Sequence, residues 1–261
     1  MPIISLITDF GLDDDFVGVM KAVIFGINPA CSIIDLTHGI RPHDITEAAF
    51  TLASSFRYFP RLTIHVVVVD PGVGSSRKRL LVKTKDYYFV APDNGVLSAA
   101  LKQEPPLEII EISNERYFLK PVCSTFHGRD IFAPVAAHLS RGILARCFGG
   151  RIKHITPLLL PKVERSAHSL RGEVIHVDRF GNLISNIGQK TFREFAKGSS
   201  CAIEIKGRII RGIRSSYAEA VTGKPLVLFS SFGSLEIAYN ARPAARLLQA
   251  GIGTSITVRR A

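Results

Sequence analysis

No apolar run in the 261-residue chain approaches the roughly 20 residues that a membrane-spanning helix requires, so none is expected. Cysteine is scarce. Cys31, Cys123, Cys147 and Cys201 lie far apart without a CxxC, which argues against a zinc site and against a disulfide framework. The opening residues, MPIISLITDF, lack a basic region and a small-residue cleavage site, so no secretory leader is expected. There is no internal repeat and no GxxxxGK[ST], so a phosphate-cradling loop is not expected either. These absences together predict a reduced, cytoplasmic protein.

What is present is a globular composition. Hydrophobic residues make up 46% and the mean hydropathy is +0.21. A chain of this length suits one large domain or two modest ones. The formal net charge is +11, but Lys and Arg are dispersed, with only Arg77-Lys78-Arg79 and Arg259-Arg260 adjacent. Nucleic-acid binders concentrate such residues on one face, so a solvated basic surface is expected, with no nucleic-acid partner.

The first 150 residues alternate strand and helix patterns. Ile3–Thr8 is a short apolar run, and Phe16–Ile27 repeats apolar residues at helical spacing before Asn28-Pro29. Ser32–Thr37 is strand-like, and Asp44 can cap a helix running towards Tyr58 and halted by Pro60. Leu62–Val69 carries Val66-Val67-Val68-Val69, the pattern of a strand buried on both faces. Leu80–Lys85, Tyr88–Ala91 and Leu107–Ile112 read as further strands, with helices over Asn94–Leu101 and Asp130–Leu139. The succession predicts a mainly parallel sheet wrapped by helices, an α/β domain over 1–150. Residues 151–169 mix Pro, Lys, Arg and Ser without a period and read as a linker. From 170 to 261 the segments are short and alternating, which predicts a small all-β domain.

Ligands of open α/β sheets bind beyond the carboxyl ends of the strands. Three such ends are chemically loaded: Thr8-Asp9-Phe10-Gly11 with Asp13-Asp14-Asp15, Asp70-Pro71-Gly72-Val73-Gly74 reaching to Arg77, and Ala91-Pro92-Asp93-Asn94-Gly95. Asp13–Asp15 suit a helix N-terminus. Asp9 ends a buried strand, where a carboxylate is costly without a partner. The acidic run also resembles the calcium motif of nucleoside hydrolases, but Ile7 stands where its first carboxylate would be, so no metal is expected. Asp70 and Arg77 flank a tight turn and can meet across it. His127, in Thr125-Phe126-His127-Gly128-Arg129-Asp130, falls on the same expected side. In the β region, Asp178-Arg179-Phe180-Gly181-Asn182 fits a hairpin corner and equally a purine or amino-acid subsite.

Taken in order, ITDFGLDD, DPGVGSSR, APDNG, TFHGRD, DRFGNLISN and SSFGSLEIAYNA resemble the SAM (S-adenosylmethionine) hydroxide adenosyltransferases, relatives of the SAM-dependent fluorinase and chlorinase. The resemblance implies a homotrimer that binds SAM between neighbouring subunits and converts it to adenosine and methionine without a cofactor. It implies that Asp9 holds the ribose hydroxyls and that Asp70, Arg77 and His127 position and activate water. Asp178 and Asn182 then hold the methionine or nucleoside portion with Phe180 against it. Ser231 contacts the methionine carboxylate region, and Ala241 meets adenine through its backbone. Two residues depart from the pattern: Ser230 where Asn is usual, and Phe232 where relatives place an Arg.

The chemistry is coherent apart from the likeness. A sulfonium leaves as a neutral thioether and needs no general acid. Attack by hydroxide annihilates two charges, which exclusion of water favours. Supplying hydroxide falls to an Arg guanidinium with Asp70 or His127 as proton acceptor. Alternatives are a SAM-dependent halogenase, disfavoured because the Asp70 carboxylate repels halide, and a non-catalytic SAM or adenosine sensor.

Overall fold

The computed structural model describes residues 1–159 and 161–260. The chain folds as two compact units, Met1–Leu159 and Leu160–Ala261. No helix among the described residues is long and apolar enough to cross a membrane.

The first unit contains strands β1 (Ile3–Thr8), β2 (Ser32–Thr37), β3 (Ile64–Val68), β4 (Arg79–Lys83), β5 (Tyr88–Pro92), β6 (Glu108–Ile112) and β7 (Gly149–Arg151). Its helices are α1 (Phe16–Ile27), α2 (Ile45–Ser55), α3 (Ser98–Gln103) and α4 (Ala133–Ser140). The strands form one sheet in the order β2-β1-β3-β5-β4-β6-β7. Alternation along β3 explains why the sheet is covered on both faces. Val66 and Val68 pack with Met20, Ile24, Phe132 and Val135, from α1 and the α4 region. Val67 and Val69 pack with Leu52, Phe56, Leu97 and Ala100, from the α2 and α3 regions. Each such fully buried Val or Leu contributes about 1.5–3 kcal/mol. The cap expected of Asp44 is formed: its Oδ1 accepts from Glu47 N at 2.8 Å.

The sheet corrects the expectation of mainly parallel pairing. β1 pairs in parallel with β2 and β3, and β3 with β5, but β4 runs antiparallel to β5 and β6, and β6 to β7. The reason is connection length. The chain turns from β4 to β5 within Thr84–Tyr87, closed by Thr84 N to Tyr87 O at 2.9 Å, and so short a link cannot make a parallel crossover.

The second unit contains β8 (Glu164–Arg165), β9 (Ser169–Val177), β10 (Leu183–Gly188), β11 (Cys201–Ile205), β12 (Arg208–Arg211), β13 (Pro225–Phe229), β14 (Ser234–Tyr239) and β15 (Ser255–Arg260). Its sheet is antiparallel, in the order β12-β11-β15-β9-β10-β14-β13, with β8 paired to β9. It is not all-β, however. Helices α5 (Gln189–Ala196) and α6 (Ala244–Leu248) close its core, because Phe192, Phe195 and Ala196 fall on one helical face and are buried. The stretch 151–169 is shared between the units. Thr156 N donates to Asp93 Oδ1 and Leu158 N to Ser98 Oγ in the first, while Glu164–Arg165 joins the second unit's sheet. The architecture is thus mixed α/β with two sheets.

Candidate active site

Because β1, β2 and β3 are parallel, their carboxyl ends share one edge, where Asp9, His38 and Asp70 follow the last residues of the strands. After β3 the chain makes the turn expected of Gly72 and Gly74. Gly74 has φ +78°, and a Cβ there would come within 2.5 Å of Ser124 O. Only glycine tolerates both, so the 124–127 segment lies directly on the turn. This close approach brings His127 to Arg77.

Asp70, Arg77 and His127 form one bonded group. Arg77 Nε donates to Asp70 Oδ1 at 2.7 Å, Nη2 pairs with Asp70 Oδ2, and Nη2 also donates to His127 Nδ1 at 2.8 Å. The Arg77 and Asp70 side chains are 9% and 5% exposed. Arginine has no acceptor, so His127 Nδ1 accepts and the neutral ring carries its proton on Nε2. Burial pushes the His127 imidazole below its ordinary value, and the nearby Arg77 and Arg79 charges push the same way. The ring is therefore neutral at neutral pH.

A cavity of about 340 Å³ opens here, lined by Asp9, Asp14, Asp70, His127 and the rings of Phe10, Phe16, Phe126 and His43 among others. The three phenylalanine rings are mutual neighbours, with centroids 5.2–5.8 Å apart. Asp9 does have a partner at its strand end: Oδ2 accepts from His43 N at 2.8 Å. Asp93 and Asn94, at the third loaded strand end, serve structure. Asp93 Oδ1 holds Thr156 N, and Asn94 Nδ2 donates to Val69 O at 2.8 Å. Among the described residues no three His, Cys, Asp or Glu side chains converge as metal ligands, and Ile7 is fully buried in the core.

In the second unit, a separate cavity of about 510 Å³ is lined by Asp178, Phe180, Asn182, Tyr217, Tyr239, Ala241, Arg242 and Pro243. The Asp178–Asn182 corner is self-bonded. Asp178 Oδ1 accepts from Phe180 N and Asn182 N, and Oδ2 from Asn182 Nδ2 at 2.9 Å. Phe180 is 78% exposed, a large aromatic surface free to stack. Tyr217 Oη donates to Glu236 Oε1 at 2.6 Å. Burial, with Asp178 adding, pushes the Glu236 carboxyl up despite the Tyr217 bond, and burial and Glu236 push the Tyr217 phenol up. Ser231 is exposed at the tip of the β13–β14 hairpin and is not among the residues lining this cavity. Tyr239 falls inside the SSFGSLEIAYNA motif without a role assigned to it, and the motifs do not include Tyr217, Arg242 or Pro243 here, nor Phe16 and His43 in the first cavity.

The chain matches the family model for the SAM hydroxide adenosyltransferase N-terminal domain over residues 4–149 and that for the C-terminal domain over residues 172–257. It belongs to that family. It is 36% identical to the (R)-S-adenosyl-L-methionine hydrolase of Methanocaldococcus jannaschii, over 95% of this chain and 92% of that one. It is 33% identical to the enzyme of the same name from Thermus thermophilus, over 98% of both chains. A fluorinase from an Actinoplanes species is more distant, at 25% identity over 100% of this chain and 98% of that one. Among solved structures, an uncharacterized conserved protein from Thermotoga maritima is similar with a TM-score of 0.92 and 40% identity, covering 98% of this chain and 100% of that one.

Proposed function

We propose that this member of the adenosyltransferase family hydrolyses S-adenosylmethionine at the ribose C5′, giving adenosine and L-methionine, and that its substrate is the R epimer at sulfur. The observation that carries the reaction is the buried Asp70–Arg77–His127 group in a cavity shared with Asp9. The epimer rests on the names of the hydrolase relatives.

Water attacks C5′, the C5′–S bond breaks with its electron pair moving to sulfur, and the water proton passes to the protein. The single lone pair of His127 Nδ1 is committed to Arg77, so that ring is a donor through Nε2. The Asp70 carboxylate, whose oxygens each keep a second lone pair beyond the bond to Arg77, is the proton acceptor. Arg77, pinned by Asp70, supplies the positive charge that stabilises developing hydroxide. The phenylalanine rings lining the cavity give the sulfonium an aromatic wall. Asp9 holds the ribose hydroxyls. Asp178 and Asn182 hold the methionine or nucleoside portion with Phe180 against it, Ala241 meets adenine through its backbone, and Ser231 meets the methionine carboxylate region. No cofactor takes part, and SAM is the substrate.

The assembly proposed is a homotrimer in which one subunit's α/β domain and its neighbour's β domain share each substrate, since each cavity carries only part of the chemistry. A cytoplasmic location fits the four free cysteines. The test is to incubate purified protein separately with R- and S-epimeric SAM and to identify products by chromatography. Adenosine and methionine from the R epimer support the assignment. A 5′-halogenated nucleoside in halide buffer indicates a halogenase, and binding without products indicates a sensor. Co-expressed Asp70→Ala and Asn182→Ala subunits test the shared site: about a quarter of the sites are rebuilt in mixed trimers, and none if each subunit is self-sufficient.

A further inference from the structure

Asp9 reaches its cavity from a segment tied down at several points. Thr8 Oγ1 is bonded to His38 Nδ1 at 2.8 Å, and Gly11 N donates to His38 O at 2.8 Å. The loop that follows His38 is itself clamped. Arg41 N and Nε donate to Glu47 Oε2, and Arg41 Nη2 donates to Asp44 Oδ2. At the end of this loop stands His43, with φ +66°. A left-handed conformation is uncommon for a residue with a side chain, while glycine adopts it without steric cost. Here it turns the His43 N–H onto Asp9 Oδ2 at 2.8 Å and sets the imidazole in the cavity wall, with Nδ1 4.0 Å from the same oxygen.

We propose that His43 is a positioning residue: its left-handed backbone fixes one Asp9 oxygen by a main-chain N–H and so presents the other to the substrate. The proposal rests on the assignment of Asp9 to the ribose hydroxyls. Oδ1 is bonded by none of the described residues, and the Asp9 side chain is only 8% exposed, so its rotation is confined to what this loop permits. A hydrogen bond to one oxygen of a carboxylate also breaks the equivalence of the two, so Oδ1, with its lone pairs uncommitted, is the oxygen that faces the diol.

The test compares His43→Val, His43→Asn and His43→Gly in SAM hydrolysis and in amide hydrogen exchange. Valine, branched at Cβ, cannot hold the conformation, whereas Asn tolerates it and Gly adopts it freely. Because the ribose contact is made equally in ground and transition states, Val raises KM about tenfold with kcat changed less than about threefold. Asn and Gly recover most of the affinity that Val loses. In the wild type the His43 amide exchanges slowly, and Asp9→Ala releases it. Equal KM values for Val and Gly, or a His43 amide that exchanges fast in the wild type, overturn the proposal. If the wild type forms no adenosine, the hydrolase assignment fails instead, and the amide measurement still decides the contact between His43 and Asp9.

Discussion

Replacing Arg77 with methionine separates the stability of the buried ion pair from its catalytic use. The two side chains are more than nine-tenths buried, and the Arg77 guanidinium also lies 5.5 Å from the Phe132 ring centroid. Methionine fills much of the same apolar space but leaves the Asp70 carboxylate buried without its bidentate partner, at a cost of about 3–5 kcal/mol. Removing Asp70 as well, in Asp70→Leu/Arg77→Met, takes away the stranded charge. Stability should then return to within about 1–2 kcal/mol of the wild type, since replacing both members of a buried pair is often nearly neutral. Activity should not return. Hydrolysis needs both the proton acceptor and the guanidinium, so single and double variants should each turn over at least about 10²-fold more slowly. Denaturant unfolding measures the first quantity, and chromatographic detection of adenosine measures the second. A single variant as stable as the wild type would refute the structural half of the reasoning. A double variant that hydrolyses SAM at near wild-type rate would sink the catalytic half.

His127→Ala should slow turnover about 10²-fold, and in the wild type the acid limb of kcat/KM should fall below pH 6.5, because burial and Arg77 hold the ring neutral there; an acid limb above that value contradicts the assignment. Activity should survive EDTA, because Ile7 is buried where the acidic run would need a ligand; loss on chelation with recovery in calcium would favour a metal hydrolase. His65, fully buried between Phe56, Phe59, Tyr87 and Phe89, is pushed down to about 3 by burial, so the unfolded chain binds its proton from pH 6.5 downwards and the folded chain does not. Stability therefore declines as pH drops across that window, by about 2 kcal/mol at pH 5 from this residue alone, and unfolding curves of His65→Phe should lack that part of the slope.

How legible each feature is in the sequence follows from how local its cause is. The helix over Phe16–Ile27 and the Asp44 cap are readable because spacing and a single capping residue determine them. The pairing direction of β4 and β5 differs from the expected one although its cause lies in plain view, a link too short for a crossover. Helix α5 leaves little trace, since QKTFREFA offers only two large apolar residues, Phe192 and Phe195, and so little periodicity. Asp70 and Arg77 are legible as strand-end residues flanking a turn. Their bond to His127 is not, because it depends on Gly74 admitting the Ser124 carbonyl, a contact between segments fifty residues apart. His43 and Tyr217 escape for a related reason: each lies in an unpatterned loop, and the relevant property is a backbone torsion in one case and a long-range bond to Glu236 in the other.

The topology also explains which of the loaded strand ends carries chemistry. Asp9 and Asp70 follow neighbouring parallel strands, so their carboxylates emerge on one edge with no strand between them to spend hydrogen bonds on. Asp93 and Asn94 follow β5, which pairs in parallel with β3 on one side and antiparallel with β4 on the other, and the chain leaves here for α3 while Thr156 and Leu158 bond nearby. Their side chains are consumed by that junction: Asn94 holds the end of β3 through Val69 O, and Asp93 holds Thr156 N. The change from parallel to antiparallel pairing therefore marks a chemical boundary as well as a topological one. On one side the strand-end carboxylates line the cavity, Asp9 with one oxygen held by His43 N and Asp70 paired with Arg77, and on the other the side chains are used up on the backbone of neighbouring segments.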